Sequence, residues 1–251
     1  MRSSLPVLLG RALLIAAFLG AWEALPRLGV ADPELLPPFS TVLGTLWGLL
    51  ARPALRADLA ITTVQLLVAV AVALPVGTLL GLLLSENPRL GAIFDPLVFF
   101  LFSIPKSIFL PMFILTMGIG FWQKVAFGVF STVFIVLMSA TAAVRAVRPD
   151  HVFVARAFGA TRAQIAWRVY LPSMLPILLE GFRLAVIFGF TAVLLAEMYA
   201  SRTGMGHQIA SWGENFMMDR LFAGVLLLAI VAIVLNEAIR AVEVRCSHWR
   251  S

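Results

Sequence analysis

Hydrophobic residues run along this chain in long blocks, with the polar residues gathered into the gaps between them. A bilayer-crossing α-helix needs about 20 apolar residues. The blocks predict six such helices, over 5–25, 59–84, 91–117, 122–144, 175–198 and 221–242. The first exceeds the 7–15 apolar residues typical of a signal peptide, and Trp22-Glu23 interrupts any small-residue cleavage site, so it reads as a retained span.

From 26 to 58 the pattern loosens around Pro33, Pro37 and Pro38. Ser40 is placed to cap a short amphipathic helix with Val42, Leu43, Leu46, Trp47 and Leu50, lying along the membrane surface. Ser85-Glu86-Asn87-Pro88 stops the second span. The third holds Pro96, Pro105 and Pro111, each of which removes a helix N–H. A broken membrane helix is tolerated only where neighbours or a cavity satisfy the freed groups. The chain thus divides into 1–58, a first helix with an external amphipathic segment, a five-helix core over 59–242, and a cytoplasmic tail, 243–251.

Composition removes the soluble alternatives. Of 251 residues, 61% are hydrophobic and 13% charged, against about 45–50% and 25% in soluble domains. Nineteen Phe and six Trp exclude a disordered chain. The fold class is therefore an all-α integral membrane protein with six transmembrane helices. The net charge of +6 does not point to nucleic acid, because no basic-aromatic patch lies outside the apolar blocks. Surplus arginine in a membrane chain marks cytoplasmic loops and anionic lipid. With the N-terminus inside, Arg2, Arg89, Arg145, Arg148, Arg156, Arg162, Arg168, Arg240, Arg245 and Arg250 face the cytoplasm. Arg27, Arg52, Arg56, Lys124, Arg202 and Arg220 lie opposite, so both termini are expected in the cytoplasm.

The chemistry of common enzymes is missing. No phosphate-cradling glycine loop precedes Lys106 or Lys124, and there is no His-Glu-x-x-His pair or Gly-x-Ser-x-Gly elbow. One cysteine, Cys246, and three scattered histidines offer no disulfide or metal framework. The chain is expected to be no enzyme and to hold no cofactor or metal.

The segment 145–172 carries more information. Asp150 is placed to cap a helix with Val152, Phe153, Ala155, Ala157 and Phe158 on or near its apolar side, and Gly159 ends it. Thr161 and Gln164 form a capping box that starts a second helix through Ile165, Trp167 and Val169 to Leu171. Pro172 and Pro176 are expected to end it and open the fifth span. Periodicity alone leaves two readings of this helix-turn-helix: a segment lying on lipid headgroups, or a docking site for a cytoplasmic partner.

Ala155-Arg156-Ala157-Phe158-Gly159-Ala160-Thr161, with Val169-Tyr170-Leu171-Pro172 at the family spacing, resembles the "EAA" loop of type I binding-protein-dependent ABC importer permeases. Ile104-Pro105-Lys106, Pro111, Gly118, Pro176, Gly181-Phe182-Arg183-Leu184, Ala196-Glu197-Met198 and Gly204-Met205-Gly206 resemble its nitrate/taurine/sulfonate branch. The family's Glu position is Phe153, its first Ala is Val154 and its Ile is Val169, so a charged contact through that Glu is not carried over. The resemblance implies a multi-pass permease of the bacterial inner membrane with a coupling helix seated on a separate ATP-binding cassette subunit, which alone binds ATP. It also implies a homodimer, an external substrate-binding protein and a small solute, with sulfonates, taurine or nitrate as the anionic candidates in a branch that also carries vitamins and their precursors. Ala155, Arg156, Ala157, Gly159, Ala160, Thr161, Leu171 and Pro172 are the expected coupling residues.

Four charged residues within the spans are candidates for the pathway or its gates. Lys106 lies about 22 Å along the third span at 1.5 Å per residue, beside Pro105, and suits an anionic substrate. Glu180 and Arg183 are spaced to pair near the inner gate, and Glu197 is expected in a solvated gate or subunit contact at the outer end. An ion-coupled secondary transporter or channel is the alternative function. Few span carboxylates and no evident inverted repeat stand against it.

Overall fold

A computed structural model describes residues 5–246. α1 (Leu5–Arg27) is followed by a short α2 (Phe39–Leu50) and a long α3 (Pro53–Glu86). α4 (Pro88–Ser103), a 3-10 turn (Lys106–Phe109) and α5 (Leu110–Met117) fill the third predicted span. α6 (Phe121–Arg145) leads to α7 (Pro149–Ala157) and α8 (Arg162–Ile165), and a π-helical turn (Ala166–Tyr170) carries the chain into α9 (Leu171–Tyr199). α10 (Met205–Glu214) and α11 (Met218–Cys246) follow. Among the described residues, five helices are long and apolar enough to cross a bilayer, and α4 and the α5 segment, bent by 88° at the break, together reach the length and hydropathy of a sixth, as a broken span or a re-entrant loop.

The bend has a local cause. Ile104 is extended at ψ 132° ahead of Pro105, as the residue before a proline tends to be. The Phe102 carbonyl, which in an unbroken helix would accept from the N–H of residue 106, accepts instead from the Lys106 ammonium at 2.6 Å, and the Ile104 carbonyl does so at 3.0 Å. The lysine thus satisfies carbonyls that the break frees within the span. Pro75, Pro96 and Pro176 lie inside helices.

α3, α6 and α9 form the centre of the molecule. α3 approaches α6 through small residues: a Cβ at Gly77 would lie 2.7 Å from the Val136 Cβ, and one at Gly81 would lie 2.7 Å from the Ala140 Cβ. Such contacts let helix backbones close together where lipid offers no hydrophobic drive for association.

Several local expectations are corrected. Ser40 does not cap α2, which starts at Phe39. Instead the Glu23 carboxylate of α1 accepts from Ser40 N at 2.9 Å and Ser40 Oγ at 2.8 Å, so one helix supplies the N-terminal acceptor of the next. α2 buries Val42, Leu46 and Leu49 in a cluster with Leu227 and Leu228 of α11, and leaves Trp47 exposed. Asp150 lies in the first turn of α7 and pairs with Arg148 at 3.2 Å rather than capping the helix. Pro172 does not end a helix, because the π turn delivers the chain into α9 with this proline in its first turn, where a missing N–H is tolerated. Lys124, counted among the outward-facing charges, lies in the first turn of α6 and is buried, at 2% exposed. The tail expected from 243 remains helical to Cys246, and 247–251 lie outside the described residues.

Candidate functional site

The 145–172 segment is a compact unit. α7 ends as Gly159 takes φ 76°, with Ala160 N donating to Ala155 O at 3.0 Å and Gly159 N to Arg156 O at 2.9 Å. These bonds are the reciprocal pair of a Schellman cap. Thr161 N donates to Gln164 Oε1 at 2.8 Å and Gln164 N to Thr161 Oγ1 at 3.3 Å, so the predicted capping box forms. Val152 and Ile165 anchor the unit on Ala143, Val147 and Met174, at the ends of α6 and α9, with Ala155, Ala160 and Val169 packed alongside. The other face is open: Phe153 is 74% exposed and Phe158 88%, with Trp167, Arg156, Ala157 and Thr161 also exposed. The predicted apolar face is therefore split, with Val152 and Ala155 turned inward and the two phenylalanines outward. Leu171 and Pro172 lie at the start of α9.

The bend in the third span faces a second feature. Lys106 is half-buried and lines a cavity of about 340 Å³ with Ser103, Ser107, Ser131 of α6 and Thr191 of α9. Its ammonium also lies 5.1 Å from the centre of the Phe102 ring and 5.7 Å from that of Phe134. The Ser131 hydroxyl is buried without a hydrogen-bond partner in the protein. The Ser103 and Thr191 hydroxyls donate to Phe99 O and Ile187 O of their own helices, so the cavity offers one cation and one buried, unpartnered hydroxyl on a largely apolar wall, which can accommodate a small anion with an apolar stem.

The remaining charged candidates do not join Lys106. Arg183 pairs with Glu243 of α11 at 3.5 Å rather than with Glu180, which is exposed. Glu197 is 0% exposed instead of solvated. It accepts from Gly206 N at 2.8 Å, and the Thr62 hydroxyl lies 2.9 Å from each of its oxygens. Met205 N donates to Thr62 Oγ1 at 2.9 Å, while Gly204 N and Gln208 Nε2 donate to Asp58 at 2.7 and 2.8 Å. α3 and α9 thus supply the acceptors that the first turn of α10 lacks, and place two carboxylates at the positive end of its dipole. Asp58, Thr62 and Gln65 are not among the candidates that charge within the spans picks out. Their spacing of four and three residues puts them on one polar stripe of α3, a pattern that is legible in the sequence.

Known proteins match this architecture. Residues 73–246 match the family model described as "Binding-protein-dependent transport system inner membrane component". The taurine transport system permease protein TauC of Escherichia coli (strain K12) is 32% identical over 249 residues, covering 94% of this chain and 87% of that protein. The formylaminopyrimidine transport permease protein ThiX of Halalkalibacterium halodurans is 27% identical over 230 residues, covering 91% of each. Among solved structures, an inward-facing form of the MetNI methionine ABC transporter superposes with a TM-score of 0.61 at 21% identity, covering 77% of this chain and 94% of that one. The fold and the sequence agree: the chain belongs to the binding-protein-dependent transport system inner membrane components, as a type I ABC importer permease of the taurine/sulfonate branch.

Proposed function

We propose that this chain forms the translocation pathway for a small organic anion of the sulfonate class, passing Lys106, and that the 145–172 loop couples it to a separate ATPase. The observation that carries the substrate class is the half-buried Lys106 on a largely apolar cavity with the unpartnered Ser131 hydroxyl, at the bend between α4 and α5. A cation inside a span costs at least about 2.5–3.5 kcal/mol on insertion scales, a cost that a passing anion would offset in part. The similarity to TauC, a taurine permease by name, supports the same class. Two copies would enclose the pathway, with ATPase subunits on the face of α7 and a soluble binding protein on the face of α10. Arginines at 145, 148, 156, 162 and 168 support a cytoplasmic position for the α7 face.

Uptake of radiolabelled taurine and ethanesulfonate by cells producing the complete transporter tests this reading. Lys106→Met is expected to lower uptake roughly tenfold, which corresponds to about 1.4 kcal/mol of lost stabilisation. Lys106→Arg should recover part of it, keeping the charge with a different shape. Undiminished uptake by the Met variant would remove Lys106 from the pathway. No uptake of either sulfonate by the unaltered protein would overturn the substrate class.

The orientation has its own test. In a Cys246→Ser background, Ala160→Cys should react with an impermeant maleimide only after the cells are permeabilised. Labelling of intact cells at position 160 would reverse the assignment.

A further inference from the structure

A second and more polar cavity lies where the α5–α6 turn meets α3 and the chain between α9 and α10. It measures about 470 Å³ and is lined by Gln65, Gly120, Phe121, Lys124, Arg202 and Thr203, among others. Lys124 is 2% exposed, and its one hydrogen bond among the described residues goes to Gly120 O at 3.1 Å. An ammonium has three donors, and none of the described carboxylates lies within ion-pair distance of this one. It also occupies the first turn of α6, the positive end of that helix, where a cation is disfavoured. Burial without an ion-pair partner and an adverse dipole both weigh against a purely structural lysine.

Three features of the surroundings favour an anion: Lys124 itself, a helix start and a second cation. Gly120 is the N-cap of α6 and offers no side-chain cap, so the first-turn N–H groups of this 25-residue helix lie beside Lys124 at the cavity wall. Arg202 adds an exposed guanidinium. Gln65 is 2% exposed, and its Oε1 has no protein partner, so this acceptor calls for a donor on the ligand and does not itself bind an anionic group. The carboxylates of Asp58 and Glu197 take their hydrogen bonds from the first turn of α10, Gln208 and Thr62, and Glu197 acts on Lys124 only through space, beyond ion-pair distance. Lys124, Phe127, Ser131 and Ile135 recur at spacings of three and four along α6, on one stripe, and the last three line the Lys106 cavity.

We propose that this cavity is a second anion site, an outer station where a small organic anion binds Lys124, Arg202 and the start of α6 before moving along α6 to Lys106. The site belongs to the organic-anion permease proposed above and rests on that reading, so the experiment separates the two. In membranes holding the complete transporter, single cysteines replace Thr203 at the outer cavity or Thr191 at the Lys106 cavity, each in a Cys246→Ser background. Maleimide labelling is followed with ethanesulfonate, and with ethylammonium as the cationic control.

Ethanesulfonate is expected to slow labelling of Thr203→Cys several-fold and saturably, while ethylammonium leaves it unchanged. Arg202→Gln, an exposed change that the fold tolerates, should weaken that protection several-fold, and Lys124→Met should abolish it. Protection at position 191 without protection at 203 would overturn the outer site and leave the permease reading standing. Protection at neither position would overturn both. Equal protection by ethylammonium, or protection at 203 that Arg202→Gln leaves unchanged, would also sink the assignment.

Discussion

Gly206→Ala is expected to unseat α10 and to lower the melting temperature of the purified full chain by several degrees. A Cβ at this position would run into the Leu194 carbonyl oxygen and come within 2.7 Å of the Glu197 Cβ. Neither is the loose end of a flexible side chain, so α10 itself must shift. Overpacking of this kind costs about 1–3 kcal/mol. The shift also pulls Gly206 N from Glu197 and Met205 N from Thr62, and each buried group left unsatisfied adds about 1–3 kcal/mol. Gly213→Ala, in the same helix but with only Leu221 Cδ1 near, at 4.0 Å, is the matched control and should melt like the unaltered protein. Identical melting of the two alanine variants would mean that the buried fastening of α10 contributes nothing measurable.

That fastening also marks a boundary in what the sequence makes legible. Long apolar blocks announce their spans because the bilayer imposes a length on every crossing helix, and the Gly159 and Thr161–Gln164 signals work because a cap is a local transaction between residues three to five apart. Hence five of the six predicted spans, the stop at Gly159 and the capping box are found where the pattern puts them, while the third predicted span is a pair of helices bent by 88°. Position 40 shows the limit of local reasoning: a serine before an apolar helix reads as its cap, yet the acceptor comes from Glu23, 17 residues back on another helix. Arg183 fails in the same way, since Glu180 is a helical neighbour but Glu243 arrives from α11. Glu197 reads as an outer, solvated carboxylate because nothing in its own helix reveals that Asp58 and Thr62, more than 130 residues earlier, stand beside it to receive α10. Partners supplied by tertiary packing have no fixed sequence offset, so period and spacing cannot locate them.

On the proposed coupling role of the 145–172 loop, Gly159→Val should insert normally and yet fail to link ATP hydrolysis to transport. The φ of 76° at position 159 is easy for glycine and adverse for a β-branched residue, at a cost of roughly 1–3 kcal/mol. Space is not the issue, because a Cβ there would meet nothing within 4 Å. The strain falls on the backbone alone, at the Schellman cap that sets α7 against the capping box of the next helix. Relief of that strain would break the Ala160-to-Ala155 bond and swing exposed Phe153 and Phe158 away from their present orientation, while Val152 and Ile165 keep the unit attached to α6 and α9. A partner seated on those two phenylalanines would lose its register, whereas a loop merely resting on lipid has no register to lose. Gly159→Asn separates backbone from bulk, since asparagine accepts the left-handed region far better than valine. Co-purification of the ATPase and substrate-stimulated ATP hydrolysis in the reconstituted complex are the readouts. The Val variant should be impaired in one or both and the Asn variant much less so. Val behaviour equal to the unaltered protein in both measurements would return this loop to the lipid surface.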